Sequence, residues 1–365
     1  MNSISDPHLN KRIKECCQCG CDVKVYGFDR CNKQLQDSDV TVIGVFPNTM
    51  GYARRIAIYL KGIRSLFKSH PVDDGIWYYQ GLDVAMFATF FNPNKKYIYE
   101  ECDLVHTNVK NAVLRRFLEW LDKRVIRCSL RTVMTSEGFL DYHYGKHVSR
   151  PNNVIVIPNK LSRDVERVKV CKRSQFDPSH IRFAFVGGLR YRALISIARM
   201  ISRNFPNHEF HFYGFVSPVI PESDLPLGTN VFYHGAFRSP EDLSRVYSEV
   251  DLLVSTYDIS SPNVRYAEPN KLYEAVYFRC PILVSRHTFL EKKVLRMGIG
   301  YSVDPFDEKD VLRVVNEIEK NYHRKQAALS QIMCEEAVSG NNMDLILNDI
   351  YENNNARVRD ASGSY

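Results

Sequence analysis

The 365-residue chain has no apolar run able to cross a bilayer. Its longest, Val84 to Phe91, is about eight residues, against the ~20 a spanning helix needs. The opening Met1-Asn2-Ser3-Ile4-Ser5-Asp6 lacks the apolar centre and cleavage pattern of a secretory leader, so the cytoplasm is the expected compartment. No Gly-x-Gly-x-x-Gly follows the early strand patterns, which argues against a dinucleotide oxidoreductase. A second, separated cysteine pair is missing as well. Five of the ten cysteines (Cys16, Cys17, Cys19, Cys21 and Cys31) crowd together, and no second pair follows at a spacing that zinc uses. They read as structural thiols of a reducing compartment, and no metal is expected. Excess charge of one sign is absent from residues 161–365, where 26 Lys+Arg face 26 Asp+Glu. Residues 1–160 hold 23 against 16, so the whole net charge of +7 sits in the first half. Such a basic half suits an anionic partner.

What is present is an ordinary globular composition, 44% hydrophobic and 25% charged, over a length that suits two domains. Short β-branched and aromatic runs alternate with amphipathic stretches. In the first half, strands are expected at Val23–Phe28, Val40–Phe46, Ile76–Tyr79, Lys96–Glu100, Thr132–Thr135 and Val154–Ile157. Helices carry Tyr52, Ile56, Leu60, Ile63 and Phe67 on one face, then Val109, Val113, Phe117, Leu121 and Val125 on another. The rhythm restarts with strands at Ile181–Val186, Glu209–Tyr213, Val231–Tyr233, Leu252–Ser255 and Ile282–Val284. Ser239-Pro240-Glu241-Asp242 predicts a capped helix start with proline in the first helical position. Pro158 to Pro178 is polar and aperiodic.

This pattern predicts an α/β protein of two Rossmann-like, doubly wound parallel-sheet domains with a cleft between them. The expected boundaries are 1–160, a linker over 161–178, 179–352 and a frayed tail over 353–365.

Two segments carry chemistry. Phe185-Val186-Gly187-Gly188-Leu189-Arg190-Tyr191-Arg192 runs a hydrophobic strand into two glycines and two arginines, a turn that admits a phosphate to the backbone and neutralises it. Glu268-Pro269-Asn270-Lys271-Leu272-Tyr273-Glu274-Ala275 opens a helix with polar groups at its N-terminus. There Glu274 shares a face with Lys271 and suits the vicinal hydroxyls of a ribose. Asp37-Ser38-Asp39 matches the Asp-x-Asp of metal-dependent transferases, but it precedes a strand instead of leaving one and reads as a turn.

The Pro-Asn-Lys-Leu-x-Glu-Ala segment, with the following Cys280-Pro281-Ile282-Leu283-Val284-Ser285, resembles the donor motif of family 4-type retaining glycosyltransferases of the GT-B fold, in a variant of bacterial polysaccharide-assembly enzymes. The glycine turn is similar to that group's phosphate loop. Asp6-Pro7-His8 with Asn10 to Ile13, Gly27 to Arg30, Ser136 to Phe139 and Ile157 to Lys160 fall where the group has similar segments. The resemblance spans most of residues 5–305. It implies that Glu274 binds the nucleotide ribose, that Lys271, Asn270 and Arg190 or Arg192 contact diphosphate and sugar beside Gly187 and Gly188, and that the reaction retains configuration without metal or cofactor.

The chain also departs from the group. Tyr266 stands where a first glutamate is usual, and Arg192 replaces the phosphate-binding lysine. Cys102 occupies the place of a cleft histidine, which leaves Glu101 and Asp103 as candidates for handling the acceptor hydroxyl proton. A strand usually precedes Asp6-Pro7-His8, where only Met1 to Ser5 stand.

On the helix near 52–68, Arg54, Lys61, Arg64 and Lys68 lie within about 80° of one another at 100° per residue. Arg115, Arg116, Lys123, Arg124 and Arg127 follow on the next helix. These faces predict peripheral binding to the anionic inner face of the plasma membrane, where a lipid-linked saccharide acceptor would be found. Nucleic acid is not expected, for want of exposed aromatics interleaved with the basic residues or of a groove-reading motif. The resulting expectation is a polysaccharide-building transferase, with a nucleotide-sugar epimerase or a non-catalytic nucleotide-sugar-binding subunit as rivals.

Overall fold

The computed structural model describes residues 7–30, 40–47, 50–70, 75–145, 150–168, 175–217, 220–347 and 350. The Asp37-Ser38-Asp39 turn lies outside them. The chain divides into two compact units, one running to Pro158 and resuming at Asn341, the other Asn159–Gly340.

In the first unit, β1 (Val25–Asp29) pairs in parallel with β2 (Val40–Val45). A second sheet runs β3 (Trp77–Gln80), β4 (Tyr97–Glu101), β5 (Arg131–Met134) and β6 (Val154–Val156), every pair parallel. The helices beside them include α1 (Pro7–Gln18), α2 (Tyr52–Ser69), α3 (Leu82–Phe91), α4 (Ala112–Cys128) and α5 (Glu137–Tyr144). β4 and β5 are buried along their whole length, although β4 ends in Glu100 and Glu101 and β5 opens with Arg131 and Thr132. Local chemistry sets the helix starts: Ser136 accepts from Gly138 N at α5, and Asn111 accepts from Leu114 N at α4. α2 buries Ile63 and Phe67 of the expected stripe together with Tyr59 and Leu66, while Tyr52 is exposed and Ile56 and Leu60 are half-buried, and Phe28 packs edge-on against Tyr59.

α4 differs from expectation. Val113 (80% exposed) and Phe117 (53%) do not face a core; only Asp122, Val125 and Ile126 of the helix are buried. Leu114 and Trp120 are exposed beside them, and Phe117 stacks on Trp120. Periodicity marks an apolar stripe but not what covers it. Exposed aromatics are therefore interleaved with basic residues after all, Phe117 and Trp120 among Arg115, Arg116 and Arg124.

The second unit holds β7 (Arg182–Val186), β8 (Glu209–Tyr213), β9 (Val231–Tyr233), β10 (Leu252–Ser255), β11 (Ile282–Ser285) and β12 (Gly300–Val303). They form one parallel sheet in the order β12-β11-β10-β7-β8-β9. Strand order therefore reverses between β7 and β10, the switch point outside whose carboxyl ends ligands bind in such sheets. Its helices are α6 (Arg192–Asn204), α7 (Leu243–Ser248), α8 (Pro262–Tyr266), α9 (Lys271–Tyr277), α10 (Phe289–Met297) and α11 (Glu308–Ser330). Apolar clusters cover both faces of the sheet, one around Val246, Leu272 and Val294 and one around Leu194, Ile197 and Val315.

Three details correct the sequence reading. Helix α7 begins at Leu243, with Asp242 rather than Ser239 at its cap and Pro240 outside it. β12 was not anticipated. The polar stretch after Pro158 joins the second unit: Leu161 bridges to Val338, and Val165 is buried in its core. Beyond Gly340 the chain packs with the first unit, where Met343, Ile346 and Ile350 meet Ile98, Val133 and Ile157.

Candidate functional site

At the end of β7 the backbone turns through Gly187, whose φ is +146°. Gly214, at +140°, passes so close that a Cβ there would stand 1.8 Å from the Gly187 carbonyl oxygen, so this crossing accepts only glycine. Leu189 N then donates to Phe215 O at 2.9 Å, lacing the loop after β7 to the loop after β8. A Cβ added at Gly188 would meet the Phe215 ring at 2.9 Å.

The start of α9 comes to the same place. A Cβ at Gly187 would meet Lys271 Cε at 3.6 Å. Lys271 Nζ contacts both Glu274 oxygens at 2.6 and 2.8 Å, and Tyr247 donates its hydroxyl to Glu274 Oε2 at 2.5 Å. Both members of the ion pair are buried, so their attraction operates with little solvent screening. Burial first, and then the Glu274 charge, push the Tyr247 phenol well above its usual range, which keeps it a donor. Asn270 is exposed just before the helix and makes no side-chain cap.

Arg190 and Arg192 are exposed, and among the described residues neither forms an ion pair. The Arg190 guanidinium lies over the Tyr191 ring at 5.6 Å, and Tyr191 meets Tyr257 edge-on at 4.7 Å. The first amides of α6 are already in use: Asp258 accepts from Arg192 N at 3.0 Å and from Ala193 N at 2.8 Å. Gly187, Lys271 and Glu274 are thus in contact range, while the two arginines contact neither Lys271 nor Glu274. Glu268, out of register for a first glutamate, is buried against Tyr273 and Lys293, whose Nζ lies 2.6 Å from it. Tyr247, Tyr257 and Asp258 were not foreseen. Each follows or precedes an apolar strand pattern, and nothing local in the sequence sets them apart.

In the first unit the two candidates at the exit of β4 part company. Asp103 is exposed, whereas Glu101 has no solvent-accessible surface. Glu101 Oε1 lies 2.9 Å from His143 Nε2. Burial, then the nearby Asp122 charge, raise its carboxyl well above the usual range, and burial holds His143 below its own. A group so enclosed cannot meet an incoming hydroxyl. Its neighbour Glu100 points into a different network, with His8, Arg12 and the Tyr78 hydroxyl each at 2.8 Å. Burial alone would raise Glu100, but Arg12 and His8 outweigh it and hold the carboxyl well below the usual range. Cys102 is half-buried, with Gln80 Nε2 3.7 Å from its sulfur.

No family model matches the chain. It is 21% identical over 347 residues to the succinoglycan biosynthesis protein ExoL of Rhizobium meliloti, covering 89% of this chain and 85% of that protein. Among solved structures it is similar to sucrose-phosphate synthase of Thermosynechococcus elongatus (TM-score 0.66, 13% identity, 96% of this chain and 93% of that one). It is also similar to Anabaena HepE in complex with UDP (0.64, 12%, 97% and 98%). The UDP-GlcNAc 2-epimerase of Neisseria meningitidis bound to UDP-GlcNAc shares the architecture too (0.61, 12%, 95% and 97%). The chain has the α/β fold of two Rossmann-like domains found in GT-B glycosyltransferases.

Proposed function

We propose that this protein is a glycosyltransferase that moves a sugar from a nucleoside-diphosphate donor to a hydroxyl of a saccharide acceptor during polysaccharide assembly. The observation that carries this reading is the meeting of the Gly187 turn with the buried Lys271–Glu274 pair at the sheet's switch point. A glycine turn lets a diphosphate approach the backbone; a lysine and two unpaired arginines supply cations to it; a carboxylate accepts from ribose hydroxyls. Lys271 would pass from Glu274 to the diphosphate as the donor binds, with Tyr247 remaining to hold Glu274. Gly188 and Asn270 border the phosphate and sugar, and Arg190 and Arg192 close over the phosphates. These fixed charges stabilise the leaving diphosphate without calling on a metal, and the family resemblance favours retention of configuration. Asp103 is the remaining candidate to take the acceptor proton. The likeness to ExoL and to HepE holding UDP supports a nucleotide-sugar donor and a polysaccharide product.

The acceptor we assign is lipid-linked. No described helix is long and apolar enough to cross a membrane. Arg54, Lys61, Arg64 and Lys68 are exposed on α2, however, and α4 presents Val113, Phe117 and Trp120 among Arg115, Arg116, Arg124 and Arg127. Basic side chains ringing exposed aromatics suit an anionic lipid interface on the inner face of the plasma membrane.

Incubation with UDP- and GDP-sugars tests the reading, first by thermal shift and then by nucleoside-diphosphate release with an oligosaccharide acceptor. A transferase binds one donor and releases the diphosphate only with acceptor, and Lys271→Ala and Glu274→Ala abolish both. Isomerised sugar without acceptor would show an epimerase instead. Donor binding with no turnover would show a binding subunit.

A further inference from the structure

We propose that Glu101, His106, Asp122 and His143 form a buried structural site for a divalent transition-metal cation, zinc by preference, inside the first unit. Four elements contribute: the last residue of β4, the 3-10 turn Val105–Asn108, α4 and α5. Ligand atoms of Glu101, Asp122 and His143 all lie within 4.8 Å of one another. His106 Nδ1 is 3.1 Å from Asp122 Oδ2, and His143 Nε2 is 2.9 Å from Glu101 Oε1. A four-coordinate zinc with bonds of about 2.0–2.2 Å sets its ligand atoms roughly 3.3 Å apart, so Glu101, Asp122 and His143 stand near a coordination shell and His106, beside Asp122, would move inward to complete it.

Bond direction points the same way. Glu101 Oε2, Asp122 Oδ2 and His106 Nδ1 are fully buried, and none has an aligned hydrogen-bond partner among the described residues. Asp122 Oδ2 and His106 Nδ1 nevertheless sit 3.1 Å apart, as atoms do whose lone pairs converge on a third position. The outer contacts are those that orient metal ligands. Tyr99 donates its hydroxyl to the other Asp122 oxygen at 2.9 Å, and the outward His106 Nε2 lies 3.2 Å from the Tyr142 hydroxyl. Charge is compatible with this, because two carboxylates side by side in a dry interior need either a shared proton or a cation between them. A dication with two neutral imidazoles and two carboxylates is neutral, and mixed nitrogen and oxygen ligands suit zinc. The site would tie α4 and α5 to the exit of β4. It is separate from the donor residues, all of which belong to the second unit, so it stands whether or not the transferase reading does.

Metal analysis of tag-free protein, dialysed against zinc and washed free of excess, tests the proposal. About one zinc per chain is expected, falling to background in Asp122→Asn and His143→Asn. Chelation of the wild-type protein should lower its melting temperature by on the order of 10 °C, with recovery on zinc but not on magnesium. Cobalt(II) in place of zinc should give the visible absorption of a tetrahedral nitrogen–oxygen site, a readout that does not depend on the variants folding. Wild-type protein holding less than about a tenth of an equivalent, without cobalt bands and with melting indifferent to chelator, would overturn the site. The two carboxylates would then share a proton.

Discussion

The Lys271–Glu274 pair is the place where a structural role and a ligand-binding role can be separated by experiment. Both side chains are buried, and the lysine contacts both carboxylate oxygens. Removing one partner leaves a buried charge, which costs about 3–5 kcal/mol, whereas replacing both by uncharged groups of similar volume is close to neutral. Lys271→Met should therefore leave Glu274 with Tyr247 alone and lower the transition of the second unit by about 10 °C in scanning calorimetry. Glu274→Gln should do likewise by stranding the ammonium. The double variant should recover most of that loss. Donor affinity behaves differently under the proposed function. Each charge-assisted contact to diphosphate or ribose is worth about 1.5–3 kcal/mol, so each single variant weakens a nucleotide sugar by at least ~10-fold. The double variant then weakens it further while regaining its stability. Titration calorimetry beside the melting curves reads both quantities on the same samples. A double variant that melts like wild type and also binds the nucleotide sugar like wild type would refute the reasoning, leaving the pair as core structure only.

Three further outcomes are expected. Gly214→Ala drives a Cβ into the Gly187 carbonyl and should displace the phosphate turn, abolishing donor binding, while Gly188→Ala meets only the exposed and movable Phe215 ring and should fold normally; circular dichroism and donor titration check both. Arg12→Leu strands the buried Glu100 carboxylate and should cost roughly 3–5 kcal/mol, read as a fall in melting temperature that Glu100→Gln in the same chain partly restores. Phe117→Ser with Trp120→Ser should reduce flotation with anionic liposomes at least as much as neutralising Arg54, Lys61 and Arg64, and binding indifferent to both sets and to salt would remove the membrane from the account.

Much of the scaffold was legible because buried parallel strands are short runs of β-branched and aromatic residues. β8, β9 and β10 coincide with the expected segments, and β3, β4, β5 and β7 lie within a residue or two of theirs. The residues proposed for the donor stood out for a similar reason: glycine, lysine and glutamate at turns and helix starts have local causes. What escaped depends on tertiary contact. His106, Asp122 and His143 are scattered along the chain, and only the winding of α4 and α5 around β4 gathers them about Glu101, so a residue read as a candidate for handling the acceptor proton sits in a closed cluster. The apolar stripe of α4 was visible, but whether a core covers Val113 and Phe117 is decided by neighbours far away in sequence. Asp258 is an unremarkable loop residue until the fold sets it on the first amides of α6. The return of Met343, Ile346 and Ile350 to the first unit likewise has no local mark.

The most direct test of the donor site is a crystal structure with a bound nucleoside diphosphate. The account predicts phosphate oxygens at the Gly187–Gly188 turn within reach of Lys271 Nζ and an arginine from the Arg190–Arg192 loop, with the ribose hydroxyls on Glu274. A nucleotide bound elsewhere, or bound while Lys271 and Glu274 stay paired and untouched by it, would contradict the claim.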